Sequence, residues 1–595
     1  MKPPMPEMNK SPLINEFSQK RKAPLFPGTE HPLRKADAFL LAAITIAALI
    51  VRTGFVIKAE PMLFRDMEIY VFISQSLAAG NLTDAIHFHY PPLFPTLFAP
   101  VGLILEDFES GCRVVSVLLG ACVVVPVYLL AFKTAGRGAA ILASSFYAFV
   151  FFIGGQEQEQ ALIFFVWTAV LAALLSLEKK KAGWFLATGV LFGLAFLTKP
   201  EGWGFFLAFL GLAFCYWLFN AFRYGDPDKA ARWAKQRFPG KYGLLCIALL
   251  AAGYFMITSP YLFAYYQRTG EVTMNPKARS LLYLHNLRDY SMLYMIQKDP
   301  AGYYTLAQRM YLEGDVNPPE ESIYYLLYKH RKQFVSVWWA RFKIAIFDTL
   351  PNKYLQRIAP GIWPVLLLLG LWNRRRKLLP DLYIHALALV PLILVPFFTS
   401  VFPRFYFSLL PWFMIFLGRG TWRAIAIIAW LFSKTGVGKD RLKLYFTLAS
   451  LAVLIYLCTT KIAFSSPPPH KKMKLEFRKE IASELKSMLP EECRFMAELG
   501  RPSMWYMAGF HPARQEVLPS DDLNKILVYA LRKDVKFIVH HEHPARHKRY
   551  ITLDPLLRKD FSYPPMKRRL RRTSPLGKVY VIYEVVPVKC GADKK

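Results

Sequence analysis

Asp66 opens the stretch FRDMEIYVFISQSLAAGN just beyond the first long apolar run, where a chain leaving an apolar phase meets water. A lone carboxylate in that setting can accept a proton. Tyr70 follows four residues later, so a helix sets it on the face of Asp66, whereas Glu68, two residues on, points elsewhere. The plainer alternative is that Asp66 caps a surface helix. Glu157 and Glu159 lie in the GGQEQEQ tip ahead of another apolar run, Lys199 and Glu201 share the corner LTKPEG, and Arg404 sits in PRFYF. Carboxylates beside apolar spans are costly and tend to be functional. A lysine offers a phosphate one compact charge and an arginine a bidentate grip. Such a set suits proton transfer next to a phosphate held at a membrane boundary. Snorkelling of cations at span ends is the competing account of Lys199 and Arg404, but both stand in short corners beside proline and aromatic residues.

The elements that must position these groups are apolar helices. The chain has 595 residues, 54% of them hydrophobic and 15% aromatic. Apolar runs recur at 37–57, 107–132, 138–154, 160–177, 183–198, 202–222, 241–260, 361–373, 381–400, 404–432 and 443–463. This predicts a polytopic α-helical membrane protein of about eleven transmembrane helices, preceded by a tail at 1–36. The run at 37–57 lacks a small-residue cleavage site and exceeds a signal-peptide core, so it reads as an uncleaved anchor with the N-terminus in the cytoplasm. From that start, the basic loops at Lys133 and Arg137, Lys179 to Lys181, 223–241, Arg374 to Lys377 and 434–443 all fall inside. Asp66, Glu68, Glu157, Glu159, Lys199, Glu201 and Arg404 then all fall outside. The large segments 58–106 and 261–360 are outside too, the second with surface helices such as the one starting at Glu320. Tyrosines including Tyr265, Tyr266, Tyr283, Tyr290 and Tyr294 suit an interfacial belt, or stacking on sugars.

The formal charge of +33 and the absence of nucleic-acid motifs point to anionic membrane lipids as partners and not to nucleic acid. Residues 464–595 change to the composition of a small soluble α/β domain: KLEFRKEIASELKSMLP and DLNKILVYALRKD read as helices, KFIVHHE and KVYVIYEVV as strands. Strand alternation separates His540 from His541 and Pro544 interrupts the histidines after them, which argues against a metal site. PMKRRLRR reads as a surface patch toward lipid headgroups. Cys493 and Cys590 can pair if this domain lies outside the cytoplasm.

In this order DMEIY, HYPPLFPTLFAP, CRVVSVLLG, GGQEQEQALIFF, LTKPEG and PRFYFSLLP resemble the GT-C superfamily of polyprenyl-phosphate-dependent glycosyltransferases, across roughly residues 37–420. Bacterial protein O-mannosyltransferase-like and lipid A aminoarabinose transferase-like proteins are the most similar members. The resemblance implies a first outer loop folded into juxtamembrane helices. It also implies a sugar donor on polyprenyl phosphate, a lipid, glycan or protein acceptor, and work at the outer face of a bacterial inner membrane with inversion at the sugar. It casts Asp66 as general base, Glu159 or Glu157 as the second-loop acid, and Lys199 and Arg404 as phosphate ligands. Tyr70, His89, Tyr90 and Tyr406 are substrate-side residues in the same motifs. Many relatives have adjacent Asp-Glu where this chain has Asp66-Met67, and the aminoarabinose transferases have lysine where Tyr90 stands. No metal ligand set and no certain cofactor follow, and a divalent cation stays open. A transporter of lipid-linked sugars is the alternative; it calls for charges and breaks at mid-span, and here the charges cluster at span ends.

Overall fold

A computed structural model describes residues 34–58, 65–86, 90–150, 157–179, 181–223, 240–269, 328, 331–350, 361–372, 378–398, 403–433, 438–463, 469–497, 503–518, 523–542, 553 and 555–586. Within the described residues the predicted apolar runs fall on helix. Among the described residues six helices are long and apolar enough to cross a membrane: Lys35–Ile57, Phe108–Ala135, Glu159–Lys179, Tyr242–Gln267, Tyr406–Phe432 and Asp440–Thr460. Shorter apolar helical stretches include Ala182–Thr198, Gly202–Leu218 and Tyr383–Pro396. These stretches fall below the roughly 20 residues that match a hydrocarbon core, although two of them belong to the helices Gly202–Arg223 and Leu378–Phe398, of 22 and 21 residues; six is the number of helices that meet both criteria among the described residues. The first span leaves Phe39, Ile46, Ile50 and Ile57 exposed, as a helix facing lipid does. With one large apolar cluster linking the spans, this is a multi-pass helical membrane protein.

The bundle has two chemically distinct ends. At one, Arg137 holds the buried Asp37 at 2.7 Å and Lys133 pairs with Glu178. At the other lie the ends of Lys35–Lys58 and Ala182–Thr198 and the start of Glu157–Lys179. Ala182–Thr198 packs against both Glu157–Lys179 and Gly240–Thr269. Its contact with the latter is backbone to backbone: a Cβ on Gly189 would stand 2.0 Å from the Leu250 carbonyl oxygen, and one on Gly253 would stand 2.3 Å from that of Leu186. Such close approach is how membrane helices gain packing contact without a hydrophobic driving force. Gly189→Ala should therefore destabilise the protein by about 1–3 kcal/mol, as overpacking does. Gly183→Ala in the same helix, where a Cβ meets nothing within 4 Å, should be neutral or gain up to about 1 kcal/mol of helix propensity. Thermal melts of the two purified variants check the contrast.

Between the first two spans the chain forms helices Arg65–Ala78, Leu82–Ala85 and Leu93–Ile104. The first stops at Gly80, whose φ of 73° suits glycine, and Asn81 caps the next by accepting from the Asp84 amide at 3.2 Å. Tyr90-Pro91-Pro92 breaks the chain before Leu93 as expected. Met67, Tyr70 and Val71 pack with Phe94, Phe98, Cys112 and Val115, which seats these helices on the span ends.

The C-terminal unit is a five-stranded mixed sheet ordered β2-β1-β3-β5-β4, with β1 Arg494–Ala497, β2 Gln515–Val517, β3 Val535–His541, β4 Met566–Thr573 and β5 Val579–Val585. β1 runs parallel to β2 and β3, while β5 is antiparallel to β3 and β4. Residue alternation feeds two cores. Phe495, Phe537, Val539, Tyr580 and Ile582 meet Phe477, Ile481 and Leu485 of helix Pro469–Met488. Met496, Ile538, Val581 and Tyr583 meet Ile526, Leu527 and Ala530 of helix Leu523–Arg532.

The structure refines two expectations. PMKRRLRR lies at the surface, largely as the edge strand β4, where Arg569 pairs with Glu584 and Arg572 with Glu484, and charge on an edge discourages sheet-to-sheet association. Tyr265 is buried against Tyr261 and not displayed in a belt, although Tyr266 is exposed; Tyr283, Tyr290 and Tyr294 lie outside the described residues. Two further cations lie inside spans. Arg52, inside the first span, and Arg419, inside Tyr406–Phe432, are both buried.

Candidate active site

Lys199 ends the Ala182–Thr198 helix in extended conformation, and the Pro200 that follows prevents the helix from continuing. Its ammonium lies 2.5 Å from Glu159 Oε1 and 3.8 Å from Glu201 Oε1. Glu159 is buried, Lys199 nearly so, and Glu201 faces outward. Two helices of an antiparallel hairpin thus bring together charges 40 residues apart. Buried charge is tolerated when it is paired this way. The ammonium occupies the place between two carboxylates where a cation would otherwise sit. Among the described residues no group of three His, Cys, Asp or Glu could hold a metal ion; His543 and His547 lie outside them.

The first-loop helix abuts this corner through Tyr70. The phenol is buried and donates to the Thr198 carbonyl at 3.5 Å, while its ring stands edge-on to Tyr90 and Phe94 at 5.2 and 5.7 Å. Tyr70 therefore ties helix Arg65–Ala78 to the residue preceding Lys199. Asp66 lies in the first turn of that helix, four residues before Tyr70. Glu157 begins helix Glu157–Lys179, and Arg404 is the second residue of the 3-10 turn Pro403–Leu409. The side chains of Asp66, Glu157 and Arg404, and the whole of His89, lie outside the described residues. Tyr406 is fully buried; Trp167 anchors the turn around it, donating to the Ser408 carbonyl at 2.7 Å.

Sequence reasoning placed Glu68 at this end without a partner and missed several other residues there. Glu68 is completely buried, and its Oε1 accepts from the Ser503 amide at 2.8 Å, so it joins the first loop to the C-terminal unit. Tyr506 donates to Glu109 beside it. Burial first, and then the Glu109 carboxylate, push the Tyr506 phenol far above its ordinary range, which keeps it a donor. Arg52 lies over the Tyr147 ring at 5.2 Å and donates to Gln160 Oε1 at 3.3 Å, one residue from Glu159. A Cβ on Gly120 would come within 2.7 Å of both Arg52 and Gln160, so the glycine makes room for the pair. A lone arginine in AALIVRTGF was the available signal for Arg52. Glu68 had none, because its partner is 435 residues away.

Residues 89–253, which include Glu159, Lys199 and Glu201, match the family model described as dolichyl-phosphate-mannose-protein mannosyltransferase. Two solved structures share the architecture. ArnT from Cupriavidus metallidurans, bound to undecaprenyl phosphate, is 14% identical with a TM-score of 0.50, covering 93% of this chain and 99% of its own. The oligosaccharyltransferase AglB from Archaeoglobus fulgidus, in complex with an inhibitory peptide and a dolichol-phosphate, is 12% identical with a TM-score of 0.50, covering 85% of this chain and 70% of its own. The chain has the GT-C fold. No curated protein matches the sequence. Within this GT-C fold, the Lys199 corner, the first-loop helices and the C-terminal unit all meet at one end of the bundle.

Proposed function

We propose that the protein is an inverting glycosyltransferase that moves a sugar from a polyprenyl-phosphate donor to an acceptor hydroxyl at the outer face of a bacterial inner membrane. The observation that carries this reading is the enclosed Lys199–Glu159 pair, flanked by Glu201, within the segment that the mannosyltransferase family model matches. The donor class is the one whose lipid phosphate occupies both structural neighbours.

Charge dictates the division of labour. The leaving group is a phosphate, already a stable anion, so it needs cations and no general acid. Lys199 supplies one, held in place by Glu159 until the phosphate arrives, and Arg404 another. The acceptor hydroxyl has a high pKa and needs a base, the role assigned to Asp66. Its oxygen attacks the anomeric carbon as the carbon–oxygen bond to phosphate breaks, the hydroxyl proton passes to Asp66, and a single displacement inverts the centre. Glu157, Tyr90, His89 and Tyr406 would line the substrate path, with Tyr70 setting the helix.

The unit from 464 onward would lie on the same outer side, as its contacts with Glu68 and Glu109 support. Cys493 is disulfide-bonded while Cys112, Cys122, Cys215, Cys246 and Cys458 are free; Cys590 lies outside the described residues. A disulfide favours an oxidising compartment. That orientation leaves the Arg137–Asp37 end and the tail at 1–36 inside.

Purified protein in lipid vesicles, given radiolabelled polyprenyl-phosphate hexoses and pentoses with cell-envelope extract, should move label from lipid into an acceptor and release polyprenyl phosphate. Lipid-linked sugar that instead crosses the bilayer intact, with no release, would replace this reading with transport.

A further inference from the structure

Resting on that reading for its role, we infer that the cleft between the first-loop helix and the C-terminal unit is a saccharide-binding site, a docking point for the acceptor glycan away from the reacting hydroxyl. The cleft has a volume of about 630 Å³ and is walled by Phe72, Gln75 and Glu109 on one side and Lys479, Trp505 and His511 on the other. That volume is within the range of small-molecule sites. On helix Arg65–Ala78, Phe72 is two residues past Tyr70 and Gln75 five, which turns both away from the face that Tyr70 presents to Thr198. The cleft is therefore separate from the Lys199 corner.

Its chemistry is mixed in the way a sugar is. Phe72 stands edge-on to His511 at 4.9 Å and to the buried Trp505 at 6.2 Å, so that Phe72 and the half-exposed His511, backed by Trp505, give an aromatic floor for the apolar face of a pyranose. Around it are acceptors and donors of both signs: the Glu109 carboxylate, fixed by Tyr506 and by Arg113 at 3.0 Å, the Gln75 amide and the Lys479 ammonium. His511 is steadied by Asp84 at 3.3 Å. A phosphate would be repelled by Glu109, and a lipid chain would strand these polar groups unpaired. A neutral ring bearing hydroxyls satisfies both the floor and the rim.

The cleft exists only where both units are joined, so the test uses the full chain in lipid nanodiscs. Saturation-transfer NMR is run with methyl mannoside, methyl galactoside, methyl N-acetylglucosaminide and an acetylated Ala-Ser-Ala amide. At least one glycoside should take up saturation. Gln75→Ala/Lys479→Ala should weaken its binding by about tenfold, the scale of lost hydrogen bonds to charged and polar groups. Gln75→Trp, which fills the cleft from an exposed position, should abolish it. Both changes lie on exposed side chains, so melting temperatures should match wild type. Lys199→Gln/Glu159→Gln, which replaces the buried ion pair with neutral amides, should bind the glycoside like wild type, which separates this site from the fate of the transfer reaction. Glycosides that take up no saturation, binding that survives either cleft variant, or uptake by the peptide alone would overturn the assignment.

Discussion

Lys199→Gln should reduce transfer by about 10²- to 10³-fold, the scale seen when one preorganised charge facing a developing anion is removed. The loss should fall on kcat with the donor KM moving less, because a phosphate gains charge as its bond to sugar breaks and a fixed cation holds the transition state better than the ground state. The single substitution has a second consequence. Glu159 is buried 2.5 Å from that ammonium, and removing one partner of a buried pair costs about 3–5 kcal/mol. Lost activity could therefore be lost folding. Lys199→Gln/Glu159→Gln separates the two, because it replaces the ion pair with neutral amides of similar size. The double variant should melt close to wild type and remain as inactive as the single one. A double variant that regains transfer would reduce Lys199 to a structural cation. Lys199→Arg should recover only part of the rate, since a planar fork does not reproduce a point charge between Glu159 and Glu201.

What could be read in the sequence was what is local. Apolar runs became helices because burial of backbone polar groups in lipid leaves few alternatives, and Gly80 with Asn81 stopped helix Arg65–Ala78 because the left-handed turn there suits glycine. The two C-terminal helices and strands β3 and β5 were legible from their periodicity. β1 and β2, only four and three residues long, are too short to carry an alternation signal, and β4 was hidden by its arginines. Lys199 and Glu159 could be put on one side by counting basic loops, but their contact depends on how closely two helices pack, which Gly189 and Gly253 decide through backbone approach. Glu68 shows the limit of helical-wheel reasoning. Its position two residues past Asp66 does turn it from that face, yet it turns it straight into Ser503 of a unit folded more than 400 residues later.

Asp66→Asn should lower transfer by about 10²- to 10⁴-fold, the usual contribution of a positioned general base. The argument is geometric before it is electrostatic. Tyr70 fixes the rotation of helix Arg65–Ala78 by reaching Thr198, the residue before Lys199, and Asp66 is one turn earlier on the same face. The first turn of the helix therefore lies one turn before the residue that contacts the Lys199 corner. Asparagine keeps the shape and the capping ability of aspartate, so the alternative of a mere helix cap predicts near-normal transfer and an unchanged melting temperature. The base reading predicts an unchanged melt with transfer lost. A second measurement distinguishes a lost base from a displaced helix. In wild type the rate should fall as pH drops and the base takes up a proton, whereas the residual rate of Asp66→Asn should be flat over that acid limb. Tyr70→Phe removes the Thr198 hydrogen bond while keeping Asp66. It should retain the acid limb and lose only the part of the rate that depends on alignment, within about tenfold for one neutral hydrogen bond. An Asp66→Asn protein that folds, inserts and transfers sugar at the wild-type rate would remove the base from the mechanism and leave the acceptor proton to water or to Glu201.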